Sequence, residues 1–410
     1  MEALGFDFHT LPSEADPVGI YWDESAHWVL SAAEVDLLEE AAEELHRMCL
    51  QAVDRVVAEG RYEPFGLTPR LARVVSASWR RAKAGKGDLS LYGRFDLAYG
   101  GAAHGDGRPK LLEYNADTPT SLYEAAVAQW VWLEDVFPEG DQFNSLHEGL
   151  VERWRELVRT DGSFGPDVPL HLTCAMPHRE DEGTLRYLQD TATEAGLATK
   201  VLGLGDLGWT EFQPHGGGPA QGCFTDLEEV EIRRLFKLTP WEWLVEDPFG
   251  QHLLDLVEAG RIQVLEPAWK MLLSNKALLA LLWEMFPGHP YLVEAHLDRT
   301  RFTPGTKVIA KPLLGREGAS ISVATLGEGE RIAGAPELET PGPYGAEGYV
   351  YQAWSPVVSA PGPGPDGTQR IHHAVIGAWI VGDRCRGIGI REDVSAVTRD
   401  TSRFVPHRFE

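Results

Sequence analysis

Cysteine is scarce in this 410-residue chain, and Cys49, Cys174, Cys223 and Cys385 are scattered with no CxxC spacing. That pattern indicates neither a disulfide framework nor a cysteine-ligated zinc site. Positive charge is also short: 37 lysines and arginines stand against 62 aspartates and glutamates, a formal net charge of −25. Nucleic-acid binding draws on clustered Lys and Arg, so the balance argues against a nucleic-acid partner. An acidic surface speaks mainly to solubility and is compatible with a cationic small substrate such as a polyamine. No run of about 18 apolar residues is available to span a bilayer, so no membrane partner is expected. The opening MEALGFDFHTLPSEADP has no basic region leading into an apolar stretch, so a cytoplasmic protein is expected. Also missing are internal repeats, low-complexity tracts, a Cys/His pair, GxSxG in a hydrolase context and the GxxxxGK[ST] of a Walker loop.

What is present is an ordinary globular composition, 43% apolar and 24% charged, in a chain long enough for two or three domains. Thirteen tryptophans are many, and some of them are expected to serve as packing anchors. The organising stretch is PKLLEYNADTPTSLYE, residues 109–124. In an extended backbone Glu113, Asn115 and Asp117 point to one face, giving a hard oxygen surface suited to Mg²⁺. Pro119 stops the strand, and Thr118, Thr120 and Ser121 add hydroxyls and capping chemistry ahead of the helical LYEAAVAQWVW. The preceding YGRFDLAYG alternates too, with Arg94 and Asp96 on one side and Phe95 and Leu97 on the other. Its glycine-rich connection lets the two strands pair antiparallel, so that Arg94, Asp96, Glu113 and Asn115 share a face. A surface ion-pair ladder is the alternative reading.

Around this centre, Ser31 and Glu34 open a long amphipathic helix that ends at Gly60, and LARVVSASWRRAKAGKG forms another. SLHEGLVERWRELVRT reads as a helix. VPLHLTCAMP, GTLRYLQDTATEAG and LATKVLGLGDLGW alternate strand, helix and strand, as in a small parallel α/β unit. The turn HREDEGT follows a strand end, where open sheets bind ligands, so Glu180, Asp181 and Glu182 either hold a basic substrate group or simply cap the next helix. Residues 213–223 are expected to be a loop, and 229–249 and 252–287 helical. Lys270 and Lys276 sit near a helix start, which points Lys276 toward phosphate, with exposed basic side chains as the alternative. KVIAKPLLGREGAS gives a strand ending at Lys311, then a glycine loop around Arg316 with backbone N–H groups to close on an anion. EGYVYQAW is a strand whose aromatics flank a base while its backbone reads the base edge. Residues 355–370 read as a Pro/Gly loop. The last segment is a hairpin through Gly382 and Asp383, with Arg391 and Asp393 on one face.

EYNADTPTSL, WKMLLSNKALL, AKPLLGREGASI, EGYVYQAW and GIREDVS together resemble the synthetase domain of the glutathionylspermidine synthase family, an ATP-grasp family. The resemblance runs from about Tyr92 to the end and includes no amidase half. It implies an ATP- and Mg²⁺-dependent ligase that joins a glutathione-like peptide to a polyamine-like amine or amino acid through an acyl phosphate. It implies Asp96, Glu113 and Asn115 as Mg²⁺ ligands, and Arg94 as stabiliser of the transferring phosphoryl group. Lys276 and Lys311 would hold ATP phosphates, Arg316 would lie on the closing loop, Gln352 near adenine, and Arg391 would complete the phosphate and peptide site. Thr118 and Thr120 would contact peptide where founding members have serines, and the 180–182 acids match the family's acidic segment only loosely. The implied fold is α+β ATP-grasp with an antiparallel-rich central sheet. Its expected parts are a helical scaffold at 1–90, a core at 91–164 and 236–410 with a glycine-rich lid near 305–330, and a small α/β substrate unit at 165–235. A non-catalytic nucleotide- or peptide-binding protein on the same fold is the alternative.

Overall fold

The structure, a computed structural model, describes residues 5–10, 19–102, 105–160, 168–213, 221–327, 335–364 and 368–410. The Ala32–Glu59 helix starts where Ser31 and Glu34 form a reciprocal capping box and stops at Gly60, whose positive φ favours glycine. Its apolar stripe, including Leu38, Leu45, Ala52 and Val56, is buried against an antiparallel sheet that carries the central strands. That sheet runs Arg403–Val405, Arg384–Asp393, Gln369–Val381, Tyr92–Ala98, Lys110–Asn115. Phe95 and Leu97 point into this core, and the opposite face of the same strand carries Arg94 and Asp96 toward the site. The alternation written in YGRFDLA therefore decides which side chains are chemical and which are packing.

A second antiparallel sheet holds Ala295–His296, Tyr349–Ala353, Lys307–Pro312, Ser322–Thr325 and Leu338–Glu339. A third, parallel sheet orders Thr199–Gly203, Leu170–Cys174, Arg234–Lys237 and Gln263–Leu265. The fold is thus mixed α/β with antiparallel and parallel sheets. Trp154, Trp241 and Trp379 are among the largest fully buried side chains, anchoring the packing. Among the described residues no helix is long and apolar enough to cross a membrane.

Several local expectations are corrected. The stretches read as helical at 229–249 and 252–287 each contain a strand, Arg234–Lys237 and Gln263–Leu265, so the parallel sheet reaches past the expected 165–235 unit. Short apolar runs do not distinguish strand from helix by periodicity, and here neighbouring strands supply the missing hydrogen bonds. In the expected loop at 355–370, Val358–Pro363 pairs antiparallel with the strand that starts at Gln369, an edge position that tolerates proline. The expected loop at 213–223 ends in a strand, Gln221–Thr225; residues 214–220, like 328–330 of the lid, lie outside the described residues.

Candidate active site

The register of the two central strands sets Asp96 opposite Glu113 and Arg94 opposite Asn115, so all four share one face. Arg94 grips Asp96 through Nε and Nη2, at 2.7 and 3.1 Å, and its Nη1 donates to the Thr120 carbonyl at 2.6 Å. This fork geometry fixes the guanidinium in the site floor. Gly377 pairs with Asp96 on the other side, and a Cβ there would come within 2.8 Å of Arg94 Cδ, so the glycine makes room for the arginine.

Two lysines close on the acids from the other side. Lys276 Nζ lies 2.9 Å from Glu113 Oε2 and donates to the Gly315 carbonyl at 2.6 Å. Lys311 Nζ donates to the Leu112 carbonyl at 2.8 Å and to Gln352 Oε1 at 2.9 Å, while Gln352 Nε2 donates to the Leu111 carbonyl at 2.9 Å. Gln352 thereby positions Lys311. Burial alone would raise Glu113, but Lys276 and Lys311 hold it down to about 2. Burial brings the Lys311 ammonium down to about 8 despite Glu113. Burial also raises Asp96, even with Arg94 beside it.

Three cations against two carboxylates leave this face with surplus positive charge, which suits a polyanion. Asp96, Glu113, Lys276 and Lys311 line a cleft that continues along Ile309, Trp354 and Val397. Arg94, Asp96 and Arg391 share a smaller adjoining pocket. Arg391 is held by Nη2 donating to the carbonyls of Arg399 and Asp400, at 2.5 and 3.1 Å. On the far side, Glu180 and Asp181 lie in the first turn of the Arg179–Glu194 helix, where the macrodipole favours acids, with His178 as cap. Burial raises both carboxyls. Glu180 interacts electrostatically with Arg391 and with Glu124, a fully buried residue raised to about 7 by burial and by Glu180.

Some site expectations change. Asp117 does not join the oxygen face: it is buried, its Oδ1 2.5 Å from Lys237 Nζ and its Oδ2 accepting the Trp241 N–H at 2.9 Å. The strand ends at Asn115, and beyond it the alternation no longer applies. Lys270 is not exposed but wholly buried, 2.7 Å from Glu266 and donating to the Tyr92 carbonyl at 2.6 Å. Of the aromatics in EGYVYQAW, Tyr349 and Tyr351 line a separate groove while Trp354 lines the cleft, and the N–H groups of Ala353 and Trp354 donate to the carbonyls of Glu294 and Lys307. Thr118 Oγ1 accepts from Arg316 Nη1 at 3.0 Å, whereas Thr120 enters through its carbonyl. Ser121 precedes the helix and its carbonyl accepts the Ala125 N–H at 3.2 Å, but its hydroxyl lies 3.0 Å from that of Tyr21. Sequence reasoning passed over Lys237, Glu242, Glu124 and Tyr21. A lysine inside the apolar run RLFKL was the one available signal, since such a lysine needs a buried partner.

The family described as glutathionylspermidine synthase preATP-grasp matches residues 1–410. A Haemophilus influenzae protein provisionally named an acid–amine ligase is 38% identical over 410 residues, covering 99% of this chain and 95% of that protein. Trypanothione synthetase of Crithidia fasciculata is 27% identical over 90% of this chain, which spans 54% of that protein. Glutathionylspermidine synthase of the same organism is 23% identical over 90% of this chain and 56% of its own. Among solved structures, a glutathione synthetase-like effector from Globodera pallida shares the fold, with a TM-score of 0.56 at 10% identity over 94% of this chain and 90% of that one. On the full-length family match and the 38% identical relative, the chain belongs to the glutathionylspermidine synthase family.

Proposed function

We propose that this protein is an ATP- and Mg²⁺-dependent ligase that joins the carboxylate of a small, glutathione-like peptide to an amine, polyamine-like or an amino acid, on an ATP-grasp fold. The observation that carries the reading is the cross-strand pair Asp96 and Glu113 bracketed by Arg94, Lys276 and Lys311. The names of the relatives, which are ligases and synthetases, support the same class.

The residues fit a magnesium ion. Mg²⁺ is commonly held by one or two carboxylates with phosphate and water filling the other positions, and Asp96 and Glu113 supply that pair. Asn115 Nδ2 now donates to Asp96 and Glu113 at 3.3 and 3.1 Å, and a half-turn of the amide would offer its carbonyl. Bound there, the metal would offset phosphate charge against an incoming carboxylate.

The chain's own groups then divide the work. Lys276 and Lys311 would exchange their present partners for phosphate oxygens, releasing Glu113 to the metal. Arg94, fixed by Asp96 and the Thr120 carbonyl, would stabilise charge on the transferring phosphoryl group. The γ-phosphoryl passes from ATP to a peptide carboxylate oxygen, and ADP departs. The amine nitrogen then attacks the acyl carbon, phosphate leaves with that oxygen, and the amine sheds a proton. Thr118 and Thr120 would contact the peptide, Arg391 would bridge phosphate and peptide, and Glu180 with Asp181 would draw the cationic amine. Gln352 would border the nucleotide, and the glycine loop at 315–318, within the lid expected near 305–330, would exclude water from the acyl phosphate. The 1–90 segment would serve as scaffold for a core at 91–164 and 236–410, and the unit expected at 165–235, whose parallel sheet is completed by Gln263–Leu265, would bind substrate.

The test is ADP release with ATP and Mg²⁺ against peptides, each with and without polyamines and amino acids. Turnover that needs both a peptide and an amine is the expected result. Absence of turnover together with no Mg·ATP-dependent rise in melting temperature would refute the reading.

A further inference from the structure

The glycine loop at 315–318 meets four different parts of the chain at three places. At its start the Gly315 carbonyl accepts from Lys276 Nζ at 2.6 Å. At its end Gly318, with φ of +67°, lies so close to the Thr398 carbonyl that an added Cβ would stand 2.3 Å from it. Between them Arg316 Nη2 and Nε donate to Glu242 Oε1 at 2.8 and 3.3 Å, and its Nη1 donates to Thr118 Oγ1 at 3.0 Å. The guanidinium also rests 5.8 Å over the ring of Trp243.

Glu242 belongs to the short Trp241–Leu244 turn, and that turn is itself tied to the substrate loop. Trp241 N–H donates to Asp117 Oδ2 at 2.9 Å, and Asp117 is anchored by Lys237. Asp117 and Thr118 are neighbours, as are Trp241 and Glu242, so a closed ring runs Asp117, Trp241, Glu242, Arg316, Thr118. The turn therefore holds the substrate loop directly and the glycine loop through one carboxylate.

The geometry points to Glu242 as a positioning residue: a latch that keeps the Gly315–Gly318 loop closed and sets Arg316 against Thr118. Its substrate end rests on the ligase reading above. When phosphates claim Lys276, the Gly315 contact is lost, and Glu242 becomes the main side-chain hold on the loop during the lifetime of the acyl phosphate. A loop that opens then admits water, so ATP is consumed without amide formation.

The loop carries its own reporter, because trypsin cuts after Arg316 only when the loop opens. In the intact protein without ligands, Glu242→Gln should speed cleavage between Arg316 and Glu317 about tenfold, the effect of losing one charge-assisted bond to a part-buried arginine. Glu246→Gln, on the exposed residue four positions on, should leave the rate unchanged. With ATP, Mg²⁺, peptide and amine, Glu242→Gln should release more ADP than amide, while the wild type keeps the two equal. Should Glu242→Gln fail to fold, Thr118→Val frees the same guanidinium from its other anchor and should also speed cleavage. Wild-type cleavage rates in every folded variant would overturn the latch. A wild type that forms no amide would sink the ligase reading instead, and the cleavage comparison would still decide the latch.

Discussion

Removing the Lys237 ammonium is the sharpest test of how the loop at Asp117–Ser121 is held. Lys237 Nζ lies 2.5 Å from Asp117 Oδ1 and donates to the Thr239 carbonyl at 3.1 Å, with side-chain exposures of 0% for the lysine and 1% for the aspartate. Lys237→Met keeps the volume of the aliphatic stem but leaves Asp117 charged and buried, its direct ion pair gone and the Trp241 N–H its remaining hydrogen-bond donor among the described residues. Breaking a buried pair from one side costs about 3–5 kcal/mol, because the remaining charge has lost its compensation. Asp117→Asn keeps an acceptor for Trp241 and strands the lysine instead. The double variant removes both charges, so it should lose much less than the sum of the two, with a coupling energy of at least about 2 kcal/mol. Urea unfolding followed by tryptophan fluorescence reads all four corners of the cycle, provided the slope with denaturant is constant. Additive effects, or a Lys237→Met cost under about 1 kcal/mol, would refute the idea that this pair pins the loop.

Arg94→Ala and Glu113→Ala should each abolish ATP turnover while the circular dichroism spectrum stays native; near-normal activity in either would remove the assigned roles. Glu124 gives a pH signature. Its folded value of about 7 lies above the usual 4.5, so its favourable contribution is complete below pH 4.5 and is lost as pH rises through about 7. Glu124→Gln should flatten that part of the stability profile by up to about 3 kcal/mol, and an unchanged profile would rule the group out. Ser31→Ala deletes the capping-box hydroxyl of the long helix and should cost about 1 kcal/mol in urea unfolding, a loss that the same substitution at an uncapped surface serine does not produce.

Local rules carried far in this chain because several of its signals are complete within a few residues. The Ser31–Glu34 box and Gly60 bound the first helix, and the two-residue period of YGRFDLA and KLLEYN puts Arg94, Asp96, Glu113 and Asn115 on one face. Residue type and short spacing determined those features, since a strand's alternation and a helix cap need no distant partner. Tertiary structure alone decided the rest. Whether RLFKL is strand or helix depends on the neighbours that hydrogen-bond it, and Asp117 stands apart from the face of Asp96 and Glu113 because Lys237, 120 positions away, offers a buried partner. Glu242 and Arg316, 74 positions apart, became one ion pair for the same reason. A charge excluded from water must find its opposite wherever the fold brings one, and no local pattern along the chain records that pairing.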